Sequence, residues 1–269
     1  MPFTVIGSSP ARRVAFVSAA LAIATIAVCY TVATSLGHVP RWLPDITHCA
    51  QYRPEQYIFR VGMIPACTLM WKLWFLIYDW LGALSLRAFG SRSKRISFAA
   101  SLGCVGSFLL IVASSVISPD PMPWGVHIFG ATGFFICTGF AQLLVTYELN
   151  SIYKVKPSLI NGTSLAIKSS ILSFLLVLLV INTLNGLLPL PIPKGFPLGA
   201  LVEWLAVISV LSYNFTIWKW DWTYMEVATT VDPPQTLPVV APADSCCAEE
   251  TEDAIVHYHH LEQASCLKE

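Results

Sequence analysis

Three ionisable residues lie at or near the starts of separate apolar segments, where their side chains could do chemistry together. They are Arg60, His127 and Glu203. A charged side chain in hydrocarbon is costly unless it is paired or wetted, so such residues are candidates for a functional site. A carboxylate that orients an imidazole makes it a general base toward a lipid hydroxyl, and a guanidinium can hold a phosphate. The structural alternative is that Glu203 pairs with His127 or Arg60 only to fix helix packing.

The stretch Leu43–Arg60 adds more polar residues between two long apolar runs. Asp45, His48 and Glu55 precede Arg60 within this stretch. We expect them at the same membrane depth as the three residues above, and we predict that they contribute to substrate binding together with Arg60.

Lys72 is a further candidate because it lies near the middle of the second apolar run. Asp79 follows seven residues later and shares nearly the same helical face. A lysine at this depth is expected to face the bundle interior. It either pairs with Asp79, contacts a tryptophan ring, or serves as a lipid-headgroup or proton site, so we include it among the substrate-binding candidates.

The composition indicates which elements position these residues. Of 269 residues, 55% are hydrophobic and only 12% are charged, which is typical of an integral membrane protein. Because about 20 apolar residues cross a bilayer as a helix, the sequence predicts an all-α polytopic fold. Small residues predict close helix contacts, at Gly103, Gly106, Gly130, Gly133 and Gly139. The six predicted spans are Val14–Leu36, Val61–Leu84, Ile96–Ile117, His127–Leu149, Ile167–Leu188 and Leu198–Trp220.

The short connections predict the orientation of the bundle. With the N-terminus inside, nine lysines and arginines flank the cytoplasmic ends of the spans and four lie on the opposite side. Positive residues are retained in the cytoplasm, so both termini are predicted to be cytoplasmic. The sequon at Asn161 is then cytoplasmic and unused.

Three segments follow from these spans. Residues 1–13 are predicted to be a cytoplasmic N-terminus, and residues 14–222 a six-helix domain with a first lumenal loop at 37–60. Residues 223–269, rich in proline and acidic residues, are predicted to be a disordered cytoplasmic tail. The balanced net charge gives no indication of nucleic-acid binding, and no motif predicts a metal site or a cofactor.

Several short motifs resemble one membrane family. His127 and the pair Glu203-Trp204 fit the pattern of the DRAM/Sfk-type six-span superfamily, and the resemblance covers about residues 10 to 228. The closing stretch Tyr213–Asp221 is similar to the end of its post-GPI attachment to proteins factor 2 branch. The first-loop part of the pattern comprises Pro44, Ile46, Thr47, Pro54, Glu55, Ile58, Phe59 and Arg60.

The resemblance implies a role in remodelling GPI anchors in the Golgi membrane, where a lyso intermediate is reacylated with a saturated chain. The substrate is then a GPI-linked lipid or protein among membrane lipids, with His127 and Glu203 as catalytic residues. Acyl-CoA is cytoplasmic, so a lumenal site favours a phospholipid donor or a non-enzymatic role. The alternative is a non-catalytic DRAM/Sfk-like regulator or scaffold of lipid organisation or autophagy. The endoplasmic reticulum and endolysosomal membranes are the alternative locations to the Golgi membrane. Related proteins tend to have a histidine where this chain has Asn214 or Phe215, which favours the non-catalytic alternative if the histidine is catalytic.

Overall fold

The structure is a computed structural model that describes residues 9–187 and 197–221. The predicted tail at 223–269 and most of the predicted N-terminal segment lie outside the described residues. The described part contains all three residues on which the predicted site depends.

Six long helices make up the described part of the chain, and each is long and apolar enough to cross a membrane. The prediction of an all-α, six-span fold is therefore confirmed. Short 3-10 turns occur at His48–Ala50 and Pro157–Leu159, and α6 continues into a π-helical turn at Ile217–Asp221. The helices are α1 Ser9–Leu36, α2 Glu55–Phe89, α3 Lys94–Val116, α4 Pro121–Val155, α5 Gly162–Leu187 and α6 Leu198–Thr216.

Five of the six helices begin earlier than hydropathy predicts, and the difference is largest, six residues, in α2 and α4. α2 begins at Glu55 rather than Val61, so the first loop comprises residues 37–54, and α4 begins at Pro121 rather than His127. At α2, the amide of Tyr57 donates to the carbonyl oxygen of Pro54 at 3.0 Å, which shows that the polar turn is already helical. Hydropathy marks only the apolar part of a helix and misses polar turns that extend beyond it.

The helices pack mainly with their neighbours in the chain. α1 packs on α2, α2 on α3, and α3 on α4, while α6 contacts α1, α4 and α5. Successive helices run in opposite directions, so the first loop lies at the same end of the bundle as the start of α2, the end of α3 and the starts of α4 and α6. This end is called the first-loop end below.

Four of the five glycines predicted at close helix contacts do lie against a neighbouring helix. A methyl group on Gly103 would overlap the indole ring of the buried Trp74, and one on Gly130 would lie 2.8 Å from the carbonyl oxygen of Leu109. Gly139 has open space where a methyl group would lie, so the prediction is wrong at this position. The remaining two, Gly106 and Gly133, face Thr138 and Leu109.

Candidate functional site

Glu203, in the second turn of α6, connects that helix to the first loop. Its carboxylate accepts hydrogen bonds from the backbone amides of Ile46 at 3.0 Å and Thr47 at 3.3 Å, and from the Thr47 hydroxyl at 2.6 Å. The neighbouring Trp204 donates its indole N–H to the carbonyl oxygen of Pro44 at 2.8 Å. We call Ile46, Thr47 and Glu203 the Glu203 clasp. Three donors on one carboxylate satisfy a group that would otherwise be costly to bury.

His127 lies beside this clasp, in the second turn of α4, and is 3% exposed. Its Nδ1 lies 2.9 Å from the carbonyl oxygen of Ala113, which can only accept, so Nδ1 carries the proton in the neutral ring. The Nε2 atom lies 3.5 Å from the hydroxyl oxygen of Thr47. Since the Thr47 hydroxyl donates its single hydrogen bond to Glu203, the lone pair on Nε2 stays available as a base.

The arrangement differs from the prediction in one respect. Glu203 was predicted to orient His127, but Thr47 lies between the two side chains, and the carbonyl group of Ala113 orients the imidazole. A carboxylate near the end of one helix and a histidine on another can be linked by any short hydroxyl side chain between them. The sequence therefore predicts their proximity but not the residue that joins them.

Asp45 and His48 extend the cluster toward the exterior of the bundle. His48 Nδ1 lies 2.9 Å from the Asp45 carboxylate, and both side chains are partly exposed. The indole ring of Trp124 lies between the two histidine rings, with centroids 5.5 Å from His48 and 5.5 Å from His127. The Trp124 and His127 rings are stacked, with planes 16° apart. Two predicted loop residues thus reach the same cluster as His127.

Arg60 contacts the end of α3 rather than the Glu203 clasp. Its Nη2 donates to the carbonyl oxygen of Ile117 at 3.1 Å, and the amide side chain of Gln56 donates to the same oxygen. Ile117 lies one turn beyond Ala113, the partner of His127, so Arg60 and His127 both bind carbonyl groups at the end of α3. Helix ends leave such carbonyls without intrahelical partners. Among the described residues, neither Glu203 nor His127 bonds directly to Arg60.

Arg60 also lines a cavity at the first-loop end, between the starts of α2 and α4 and the end of α3. The cavity has a volume of about 740 Å³. We call it the arginine pocket, because two arginines line it. Its walls are formed by Gln51, Tyr52, Arg53, Gln56, Tyr57, Arg60, Val116, Ser118, Pro119, Asp120, Met122, Pro123 and Val126.

Glu55 and Lys72 do not face this pocket. Glu55 is fully buried, and one of its carboxylate oxygens lies 2.7 Å from His38 Nδ1. Lys72 is exposed on the outer face of α2, so the expectation that it faces the bundle interior is wrong. A long apolar helix can place a lysine toward lipid because its flexible stem carries the ammonium group toward the interface. The substrate-binding roles of both residues stay predictions.

Cys49 adjoins the clasp but is not a nucleophile at neutral pH. Burial raises the pKa of its thiol to about 12, and the carboxylates of Glu203 and Asp45 act in the same direction. Only the thiolate attacks effectively. The chemistry of the site therefore depends on oxygen and nitrogen groups.

Two features give little signal in the sequence. The first is Thr47, which is part of the first-loop motif but whose uncharged hydroxyl gives no signal of its own in an apolar context. The second lies at the opposite end of the bundle, where the fully buried Lys168 pairs with Asp221 at 2.5 Å and donates to Ser164 at 2.8 Å and to Thr216. Lys168 is one of the nine positive residues predicted to flank the cytoplasmic ends of the spans, although its place as the second residue of the predicted fifth span is a signal for pairing.

Comparison with known families shows the family of the chain. Residues 10–224, which include all six helices except Ser9 at the start of α1, match the family model described as Frag1/DRAM/Sfk1/Cwh43P N-terminal domain. The chain belongs to this family. In this Frag1/DRAM/Sfk1/Cwh43P member the match includes the first loop, the Glu203 clasp and the arginine pocket. Comparisons with curated proteins and with solved structures gave no significant match. The predicted superfamily is confirmed, and its post-GPI attachment branch stays a prediction.

Proposed function

We propose that this protein remodels the lipid of GPI anchors in the Golgi membrane, by reacylating a lyso intermediate with a saturated chain. The observation that carries the proposal is the cluster at the first-loop end. There, a histidine with an available Nε2 lone pair lies beside a carboxylate-bonded hydroxyl, and both adjoin the end of α3 that also holds Arg60. Family membership and the branch-like closing stretch support the same assignment.

The proposed reaction is an acyl transfer in which His127 handles the proton. Its Nε2 takes the proton from the free hydroxyl of the lyso lipid, whose oxygen attacks the ester carbonyl of a phospholipid donor. A new ester bond forms, the donor's ester bond breaks, and the leaving alkoxide takes the proton back from His127. Arg60 holds the phosphate of the anchor, and the Glu203 clasp keeps the first loop against α6 while the lipids are bound.

A second candidate function is a non-catalytic regulator that organises lipids. The observation that favours it is the burial of His127, which is 3% exposed and whose Nε2 faces Thr47 rather than a cavity. In this case the clasp only ties the first loop to the bundle, and the tail at 231–269 recruits partners.

Purified protein separates the two candidates. The full chain is reconstituted in nanodiscs with lyso-GPI and a phospholipid that carries an isotope-labelled saturated chain. We expect label to appear in the diacyl anchor, and to fall at least about 100-fold with His127→Gln, since a general base contributes about 10²–10⁴-fold to rate. The matched control is His38→Gln, whose ring lies in the first loop and outside the cluster.

The outcomes of this experiment are distinct. Transfer by the wild-type protein that survives His127→Gln contradicts the catalytic assignment of that residue. An absence of transfer with every donor supports the regulator. Deleting Val231–Glu269 then decides that candidate, because a tail-dependent regulator loses its cellular effect and an enzyme with its site at the first-loop end keeps its activity.

A further inference from the structure

The arginine pocket has charges of both signs on its walls. Arg53 and Arg60 are on the α2 side, and Asp120 is at the start of α4. Among the described residues, none of these three forms a salt bridge. Opposite charges that line one cavity without pairing across it fit a ligand that itself carries both signs.

The two arginines present donors suited to a phosphate. The guanidinium of Arg60 is held by the carbonyl oxygen of Ile117, and its Nε is buried with no hydrogen-bond partner among the described residues. Arg53 lies over the ring of Tyr57, with its central carbon 5.6 Å from the ring centroid. Guanidinium groups bind phosphate oxygens through two N–H groups at once, so both can engage one phosphodiester.

Asp120 provides the complementary negative group. Ser118 donates to one of its carboxylate oxygens at 2.9 Å, and both residues line the pocket. The carboxylate does not cap its own helix. Because Asp120 lines the same pocket as the two arginines, it offers a partner for an ammonium group on a ligand whose phosphate binds the arginines.

The rest of the pocket fits the part of a lipid just below its headgroup. Val116, Met122, Pro123 and Val126 form an apolar wall. They lie where α3 ends and α4 begins, which is the boundary of the predicted spans. The volume of about 740 Å³ is large enough to admit a lipid headgroup.

We propose that the arginine pocket binds a phosphoethanolamine group, with its phosphate on Arg53 and Arg60 and its primary ammonium on Asp120. This inference rests on the proposed function and deepens it, because it names the headgroup that the site binds. The group has two sources, a phosphoethanolamine carried on the glycan of an anchor or a phosphatidylethanolamine of the bilayer. In the second case the pocket holds the donor phospholipid, and Arg60 binds the phosphate of the donor instead of that of the anchor.

Native mass spectrometry of the purified full chain with defined lipids tests this assignment. The probes are dioleoyl phosphatidylethanolamine and dioleoyl phosphatidylglycerol, which has the phosphate but no amine. We expect phosphatidylethanolamine to bind about tenfold more tightly, because it alone gains a charge-assisted contact with Asp120. Equal binding of the two lipids would overturn the assignment.

Two variants check the two charges separately. Asp120→Asn should weaken the binding of phosphatidylethanolamine about tenfold and leave the binding of phosphatidylglycerol unchanged. Arg53→Gln should weaken the binding of both lipids by a similar factor. The fold should be unaffected, because Arg53 is exposed. Arg41→Gln, an exposed first-loop arginine outside the pocket, is the matched control. If Asp120→Asn weakens both lipids equally, or neither, the proposed ammonium site is wrong.

A competition arm distinguishes the sources. Phosphoethanolamine linked to mannose and free phosphoethanolamine are each added to the protein with bound phosphatidylethanolamine. If the mannose-linked compound displaces the lipid at a lower concentration than the free compound does, the site is assigned to the anchor. Equal displacement assigns it to the bilayer phospholipid, and no displacement by either compound overturns the proposal. Because binding is measured without turnover, a failure of this assignment is distinguishable from a failure of the reacylation proposal.

Discussion

The Thr47 hydroxyl lies between the Glu203 carboxylate and the His127 imidazole, and it can donate a hydrogen bond to only one of them. The Thr47 hydroxyl donates its hydrogen bond to the Glu203 carboxylate at 2.6 Å. The Nε2 atom of His127, at 3.5 Å from the hydroxyl oxygen, therefore keeps a free lone pair. The Ala113 carbonyl group orients the imidazole, and the Thr47 hydroxyl, which is bonded to Glu203, leaves the Nε2 lone pair free as a base. Thr47 couples α4, α6 and the first loop at one point.

Replacing Thr47 with valine tests this coupling. Thr47→Val keeps the shape and removes the hydroxyl, so we expect the folded protein to lose about 1.5–3 kcal/mol, the contribution of a hydrogen bond to a charged group. Thermal unfolding in detergent measures the loss. Thr47→Ser should restore most of it, and Thr31→Val, at an exposed hydroxyl on α1, should change little. Equal effects of Thr47→Val and Thr31→Val would contradict the clasp.

Cys49 gives a pH-dependent prediction at the same place. Burial raises its pKa from near 9 to about 12, so the folded protein keeps the proton where the unfolded chain has lost it. Between these two values stability should fall as pH rises, because the unfolded state then binds fewer protons. Labelling of Cys49 by iodoacetamide, followed by peptide mass spectrometry, should be slow at pH 9.

The matched control for Cys49 is an exposed thiol in the same loop. Trp42 is 78% exposed, so a Trp42→Cys protein should be labelled at position 42 at the rate of a free thiol. Rapid labelling of Cys49 in the folded protein at pH 9 would show that the thiol is accessible and ionised, against the burial described above.

At the scale of helices, α2 and α3 approach closely because Gly103 leaves room for the Trp74 indole. Gly103→Ala should therefore cost about 1–3 kcal/mol through overpacking. Gly139→Ala, on a helix and facing open space, should be neutral or stabilise by up to about 1 kcal/mol. Thermal unfolding of the two variants in one detergent checks the difference, and a Gly103→Ala protein as stable as Gly139→Ala would contradict the packing.

At the opposite end of the bundle, Lys168 and Asp221 fasten α5 to the end of α6. Removing one charge leaves the other buried and unpaired, so Lys168→Met should cost roughly 3–5 kcal/mol. The double variant Lys168→Met with Asp221→Leu should recover much of this loss. Lys72→Met, at an exposed lysine on α2, is the control. A double variant less stable than Lys168→Met alone would contradict the pairing.

How far the sequence predicts these elements depends on the kind of signal. Apolar length predicts all six helices, because only a helix satisfies its own backbone in lipid. Polar helix ends such as Glu55–Arg60 give no such signal, so α2 begins earlier than predicted. Side-chain direction is also weakly encoded: Lys72 and Lys168 both interrupt apolar runs, yet only Lys168 is buried. The partner of Lys168, Asp221, lies 53 residues away in the sequence, and packing of α5 against the end of α6 brings the two together.

For the whole molecule, the central feature is that one end of the bundle carries the clasp, His127 and the arginine pocket. These are built from α2, α3, α4, α6 and the first loop, which lie far apart in the sequence. The family match includes all of these elements. The proposed function requires this end to face the lumen, as the distribution of lysines and arginines predicts.

The acyl chains of GPI anchors in living cells test the central claim most directly. Cells that lack the endogenous protein are given the wild-type chain, Glu203→Gln, or a chain without Val231–Glu269, and anchor lipids are measured by mass spectrometry. We expect the wild-type and shortened chains to restore saturated chains, while Glu203→Gln at equal abundance leaves lyso or unsaturated anchors. Fully saturated anchors in cells with Glu203→Gln would contradict the account.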